Sequence, residues 1–374
     1  MQIFIQGTKM LFKKLSALCI VLIFPAALAY AQTSGGQPGA FLRAGVGVRA
    51  LALGGAFTGL ANDPSAGYWN PAGLAQLDQL QLLASTQKMS LDRRLNFVTA
   101  AAPFGYSGTV GLSWIGMNIS GIEGRSGNTP DPDFIFSNAD YAFLLSYAMR
   151  LFPALYVGGN AKMIYQQLHQ QTGYGFGFDL GVLFKLNDYM RLGFAAQNIA
   201  TSVKWSSGLK ESFPNQLRGG VALNLEENLI FTADILKRSQ QKAQFAVGAE
   251  YNALDRLPLR LGFSRQGFVG GAGMEFHLSN LNLDLNYAYG RDLVDGTVSH
   301  KISVGIAFFA HKKSHSKSRV PVQQDPDFWS SVNREVSREA ENPPMPVTAP
   351  EPPRRFIQVT ASVLNVRSGP GRRF

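Results

Sequence analysis

From about residue 79 onward the chain is written in a period of two. The stretch LNLDLNYAYG sets Leu281, Leu283, Leu285, Tyr287 and Tyr289 on one face of an extended chain and Asn282, Asp284 and Asn286 on the other. That is the pattern of a strand lying between an apolar and a polar medium. In GYGFGFDLGVLF, Tyr174, Phe176, Phe178, Leu180, Val182 and Phe184 oppose Gly175, Gly177, Asp179 and Gly181. LPLRLGFSR, AQFAVGAEY and HKISVGIAFF repeat the alternation. The pattern predicts strands over 79–89, 94–103, 107–118, 139–150, 154–166, 173–186, 189–199, 215–224, 228–238, 243–252, 257–265, 268–278, 281–290 and 298–309. Most are close to the roughly ten residues that cross an outer membrane at a tilt, and the count of about fourteen is even, as in single-chain bacterial barrels.

The connections test this count independently. If the first strand runs outward, every second connection should be a short periplasmic turn, and FGYSG, RLFPA, LNDY, LEEN, ALDR and LSNL all are. The long connections, Ile119–Asn138, Ala200–Pro214 and Arg291–Val298, fall on the other parity. A soluble β-sandwich also alternates, but its strands are shorter and nothing sorts its loops by parity. The expected fold is therefore all-β: a transmembrane outer-membrane β-barrel of about fourteen antiparallel strands.

Composition narrows the function classes. The 374 residues are 45% hydrophobic and 16% charged, with 39 Gly, and no apolar run after the N-terminus is long enough for a spanning helix. The formal charge of +10 is spread along the chain and gathers only near His311–Arg319, which leaves no nucleic-acid footprint. MLFKKLSALCIVLIFPAALAYAQ has the basic, apolar and small-residue parts of a secretory signal, with cleavage expected after Ala31 and Met10 a plausible start. The single cysteine, Cys19, lies within its apolar part, so a mature chain without disulfide or metal-binding thiol is expected.

The stretch AGVGVRALALGGAFTGLANDPSAGYWNPAGLA, Ala44 to Ala75, breaks the period of two and is small, glycine-rich and almost uncharged. Through Gly45, Arg49, Leu51, Leu53, Gly54, Gly55, Ala56, Asp63, Ser65, Ala66, Tyr68, Trp69, Asn70, Pro71, Ala72, Gly73 and Leu74 it resembles the N-terminal signature of the PorV/PorQ family of outer-membrane proteins, itself similar to the FadL family of hydrophobic-compound transporters. The resemblance implies that this segment folds inside the barrel as a plug. Physics agrees: small residues permit close approach to wall glycines, for which Gly175, Gly177, Gly271 and Gly273 are candidates, and Asn62, Asp63, Ser65 and Asn70 can cap the turns that Pro64 and Pro71 impose. A periplasmic lead-in of the same composition is the alternative.

Candidate chemistry is sparse. Arg150, Lys162, Asp179, Arg191, Arg218, Asp234, Glu250, Arg260, Glu275, Asp284 and Lys301 occupy inward strand positions, and a structural lattice of salt bridges is the expected use of so many enclosed charges. No nucleophile elbow, carboxylate pair or metal-spaced histidine set is visible, and GVGVRA lacks the βαβ context of a dinucleotide loop. DPDF in a long loop offers two carboxylates, too few for a calcium site to be assigned. The chain is thus expected to be no enzyme and to need no cofactor or metal.

After Phe309 the sequence turns polar, charged and proline-rich, a linker by composition. Its end, FIQVTASVLNVRSGPGRRF, resembles the opening of a bacterial SH3 domain through Val359, Thr360, Ala361, Leu364, Asn365, Val366, Arg367, Ser368, Gly369, Pro370 and Gly371, a fold that commonly binds cell-wall peptides. The expected organisation is a signal over 1–31, a plug over 32–78, a barrel over 79–310, a periplasmic linker over 311–354 and a truncated SH3 start over 355–374. Both termini should be periplasmic, in the outer membrane of a diderm bacterium with its lipid as solvent. The resemblance favours a secretion role, holding or attaching exported proteins beside secretion-system components. A FadL-like conduit for a hydrophobic ligand and an anchor to peptidoglycan through the tail are the alternatives.

Overall fold

The structure is a computed structural model that describes residues 38–309, apart from 240, 255 and 293. The signal peptide, the linker and the SH3-like segment lie outside the described residues. No described helix is long and apolar enough to cross a membrane.

Fifteen strands form one antiparallel sheet: β1 (Leu80–Lys88), β2 (Arg93–Pro103), β3 (Thr109–Gly124), β4 (Phe134–Phe152), β5 (Leu155–Leu168), β6 (Gln171–Lys185), β7 (Met190–Trp205), β8 (Lys210–Ser212), β9 (Gln216–Glu226), β10 (Leu229–Arg238), β11 (Gln244–Asn252), β12 (Pro258–Ser264), β13 (Gly267–His277), β14 (Leu281–Arg291) and β15 (Val298–Phe308). The three-residue β8 only flanks β7 in a loop. The other fourteen close on themselves, since β1 pairs with β15 and β6 pairs with β7. Closure leaves none of these fourteen with an unpaired edge.

Alternation decides the two faces. Phe176 and Phe178 are 66% and 54% exposed, whereas Gly175, Gly177 and Asp179 between them are buried. The large apolar side chains thus point outward along much of the wall, as lipid requires. An aromatic belt runs across it: Tyr141 stacks on Tyr165 with ring centroids 6.0 Å apart, Trp114 lies 5.9 Å from Tyr141, and Tyr174 lies 5.1 Å from Tyr165. From Tyr141 to Phe152 on β4, strand rise and the usual tilt give a band of roughly 25–30 Å, the thickness such barrels present to the membrane.

The wall is uneven. Strands β3 to β7 run 14–19 residues, whereas β1, β2 and β9 to β15 run 7–11. Much of the long connection expected over Ile119–Asn138 is a continuation of the β3–β4 hairpin, with a bulge between Ile119 and Ile122 where Gly121 has φ of 69°. The connection expected over Ala200–Pro214 is likewise taken up by the end of β7 and by β8. Both stretches read as loops because Gly, Ser and Asn interrupt the alternation.

Residues 38–79 lie inside. They form a 3-10 turn at Ala40–Arg43, helix α1 (Val48–Ala52), helix α2 (Ala66–Trp69) and a 3-10 turn at Pro71–Gln76. Elements this short have no stability of their own, so packing must hold them. Phe41, Leu53, Phe57, Leu60 and Leu74 are fully buried, in one cluster with Leu95, Phe97, Ile115, Leu144 and Ile164 from β2 to β5. The lumen on that side is the hydrophobic core of the molecule.

Glycines set the contact distance on the opposite side. Gly54, at φ of +70°, lies against the wall so closely that a Cβ on it would come within 2.9 Å of the Phe263 backbone, and a Cβ on Gly262 would sit 2.2 Å from the Gly54 nitrogen. Of the four wall glycines picked out from the sequence, only Gly271 meets the plug, through Ala52. Gly175 and Gly177 accommodate Ser202 and Thr201 of β7, and Gly273 accommodates Asn286 and Arg260. The residues that admit the plug backbone are Gly158, Gly181, Gly193, Gly220, Gly248 and Gly262. Replacing Gly262 by Val should prevent α1 from seating, at about 1–3 kcal/mol for overpacking. Thermal unfolding followed by heat-modifiable gel migration should show the loss, and an unchanged midpoint would rule the contact out.

Candidate functional site

An irregular segment enclosed by a sheet must find partners for its backbone polar groups. The plug finds them on inward side chains. Asn160 Nδ2 donates to the Gly67 carbonyl (2.6 Å), Gln197 Nε2 to that of Tyr68, and Gln87 Nε2 to that of Gly45 (2.7 Å). Asp234 Oδ2 accepts from the amides of Phe57 (3.1 Å) and Thr58 (3.0 Å). Gln87, Asn160 and Gln197 are not among the charged inward positions that the sequence singles out. Their uncharged polar groups at buried parity positions were the available signal.

The motif residues organise the plug. Asp63 accepts from the Ser65 amide and hydroxyl, closing the turn before α2. The Tyr68 hydroxyl donates to the Leu42 carbonyl, and Trp69 Nε1 donates to that of Val46 at 2.9 Å, so α2 is tied back to the first half of the plug. Asn70 Nδ2 spans the Thr58 carbonyl (2.9 Å) and the Val182 carbonyl of β6 (3.1 Å), while its Oδ1 accepts from Ala72. Pro71 starts the final 3-10 turn, where its missing N–H costs nothing. Gly55 and Gly73 pass close to the Trp69 ring and the Ala61 carbonyl respectively.

The second anchor is ionic. Arg49 of α1 donates to Glu250 of β11 through Nε (2.8 Å) and Nη2 (2.7 Å), and its Nη1 reaches Asn62 (2.8 Å). Arg260 of β12 donates to the same Glu250 carboxylate at 2.6 Å. A bidentate pair of this kind fixes orientation as well as charge. On the other side of the lumen Lys162 donates to Asp179 (2.9 Å) and to Asn198 (2.9 Å).

The expected lattice of wall charges is therefore mostly something else. Of the eleven inward charged residues, two pairs meet each other among the described residues: Lys162 with Asp179, and Glu250 with Arg260. Arg191 donates to Gln76 of the plug, and Arg218 lies 4.8 Å over the Trp69 ring. Asp234 caps plug amides, and Arg150 is exposed at the rim, donating to the carbonyls of Phe152 and Pro153. Four of the eleven, Arg191, Arg218, Asp234 and Glu250, thus hold the plug directly.

Two chambers flank the plug. The larger, ≈ 500 Å³, lies toward the β1–β2 turn; Phe41, Leu51, Trp69, Met117, Ile119 and Leu236 give it apolar surface, and ten charged residues, Arg218, Asp234, Arg238, Asp292 and Lys301 among them, line it as well. The smaller, ≈ 260 Å³, lies toward the end where the chain enters β1, and Arg49, Asp63, Glu250, Arg260, Glu275 and Asp284 line it. At the rim of the larger chamber Asp292 accepts from Arg93 (2.7 Å) and from the amides of Ser90 and Val294. Burial alone would raise the Asp292 carboxyl, but these hydrogen bonds outweigh it and hold it below its ordinary value. The β1–β2 turn and the neighbouring β14–β15 loop are thereby joined along the rim.

No protein-family model matches the sequence, and no curated protein matches it by sequence. Solved structures do match in fold. The toluene transporter TodX of P. putida superposes with a TM-score of 0.55 at 12% identity, over 71% of this chain and 99% of TodX. CymD, a monoaromatic hydrocarbon channel, gives a TM-score of 0.51 at 14% identity, over 71% and 98%. At these identities the likeness is one of fold: the closed antiparallel barrel of this chain superposes on those of the two hydrocarbon channels.

Proposed function

We propose that this protein is an outer-membrane conduit for small hydrophobic molecules, held closed at rest by its N-terminal plug, with no catalytic step. The observation that carries this reading is the lining of the larger chamber. A water-filled porin has an open polar interior, whereas this chamber has an apolar floor of Phe41, Leu51, Trp69, Met117 and Leu236 with charged residues around it, and it ends on a packed plug. The neighbours in fold, a toluene transporter and a monoaromatic hydrocarbon channel, are consistent with it.

The test is binding of naphthalene to the detergent-solubilised protein, followed by naphthalene fluorescence. Met117→Arg, which puts a further charge against the apolar floor of the chamber, is expected to weaken it about tenfold or more through the cost of desolvating that charge. Absence of saturable binding by the folded wild type would end the conduit reading.

We place both chain ends in the periplasm, because the three longest connections, β3–β4, β7–β9 and β14–β15, share one side of the barrel and the ends of the described chain lie on the other. An epitope within 121–137 should be reached by antibody on intact cells and one within 320–353 should not; the reverse result inverts the orientation.

The PorV/PorQ-like signature supports a second reading, contact with exported proteins at the cell surface. What favours it is the β3–β4 hairpin, which continues well past the Trp114–Tyr141 belt and exposes Phe134 and Ile135 at its tip. Replacing 121–137 by a short turn should abolish capture of exported proteins while leaving naphthalene binding intact. Attachment to the cell wall rests on the SH3-like tail, which lies outside the described residues.

A further inference from the structure

The membrane-facing wall carries a feature that passage through the lumen does not use. Outward positions of β15, β1 and β2 bring His300, Lys88 and Arg94 side by side, since Lys88 is paired with His300 in one register and with Arg94 in the other. All three are exposed. Neighbouring strands lie about 4.8 Å apart, so these groups fall within roughly 10 Å along the wall. Like charges directly opposite in a sheet are destabilising. Yet among the described residues no carboxylate forms an ion pair with Lys88 or Arg94, Asp92 in the intervening turn included. His300 is oriented by the Tyr287 hydroxyl, 2.8 Å from its Nδ1.

Below this row, toward the middle of the membrane, the wall is hollow. Ala84 of β1, Ala100 of β2 and Ala161 of β5 leave space between the large outward side chains of Trp114, Phe143 and Phe176, and the depression has a volume of ≈ 930 Å³. Ala84 is four residues along β1 from Lys88, about 13 Å at the usual rise. A concave apolar wall offers an acyl chain more contact than the convex wall of an ordinary barrel.

We propose that this wall binds a phosphorylated, multi-acyl glycolipid of the outer leaflet, of the lipid A type, with its chains in the hollow and its phosphate on Lys88, Arg94 and His300. The charge selects the occupant. A neutral lipid would leave the cationic row uncompensated, and a soluble phosphate would leave the hollow unfilled, whereas Arg and Lys together on a membrane wall are phosphate ligands. The assignment to the outer leaflet rests on the orientation proposed above; the presence of the site does not.

Native mass spectrometry of the full chain in neutral detergent, titrated with lipid A, dephosphorylated lipid A and phosphatidylglycerol, tests it. Lipid A should be retained at one per chain, and Lys88→Glu/Arg94→Glu should weaken retention about tenfold or more, as should removal of the lipid's phosphates. Ala84→Phe/Ala100→Phe, which fills the hollow without touching the charges, should do the same. Lys204→Glu, an exposed outward cation on β7, should change nothing. Heat-modifiable migration verifies folding, and Lys88→Gln/Arg94→Gln carries the same expectation if charge reversal prevents it. Equal retention by the wild type and the variants would overturn the site, and equal retention of phosphatidylglycerol would overturn the choice of an outer-leaflet glycolipid. Naphthalene binding in the lumen should be unaffected throughout, which separates failure of this proposal from failure of the conduit.

Discussion

Deleting residues 44–75 is expected to convert the closed barrel into an open pore in planar bilayers. The segment supplies Leu53, Phe57, Leu60, Trp69 and Leu74 to the buried cluster; the wall adds Leu95, Phe97, Ile115, Leu144 and Ile164 on one side and glycines, alanines and polar side chains elsewhere, which do not fill the lumen by themselves. Fourteen strands without such a filling enclose water, so conductance should rise by roughly an order of magnitude or more over the wild type. Unchanged conductance would mean that the wall collapses or that something else occludes it. A graded version uses the ionic anchor. Arg49→Leu leaves Glu250 with Arg260 as its remaining ionic partner and frees α1 from β11, so brief openings should appear without loss of the barrel.

The second large effect should come from Asp179. Its carboxylate accepts from Lys162, from Asn160 and from the Asn198 amide (2.8 Å), and both members of the ion pair are almost wholly buried, at 5% and 1% side-chain exposure. Asp179→Ala would strand the Lys162 ammonium, and removing one partner of a buried pair costs about 3–5 kcal/mol. Lys162→Met/Asp179→Leu removes both charges and should cost less, about 1–3 kcal/mol, because the Asn198 amide still loses its acceptor. Urea unfolding in micelles checks the order: if the double variant is as unstable as Asp179→Ala, the ion pair is not what matters.

Asp179 also shows what a linear reading can reach. Its inward position followed from parity alone, because Phe178 and Leu180 on either side are outward and apolar. Its partners did not follow. Asn198 meets it because β7 carries two register shifts opposite β6, with Asn198 and Ala200 at φ of 60° and 51°, and nothing in the local alternation of 189–199 signals an extra residue. Arg49 and Glu250 are separated by 201 residues, and the wall glycines that admit the plug look like every other inward glycine. Strand existence is a local property carried by the period of two, whereas plug seating depends on which inward positions closure brings opposite one another. The motif around Trp69 stood out because its composition broke the pattern, and the structure assigns it a role as internal scaffolding around that indole.

The unequal strand lengths cut the rim of the barrel on a slant. With β3 to β7 reaching 14–19 residues and β9 to β15 only 7–11, the opening is low along one arc and backed by a screen along the other. Such an aperture faces sideways as much as upward. For the conduit proposed above, a solute gliding along the membrane surface would meet the low arc at its own height and then strike the screen, so the search for the entrance would be two-dimensional, and arrival should depend on how strongly the solute partitions to the surface rather than on its concentration in bulk water.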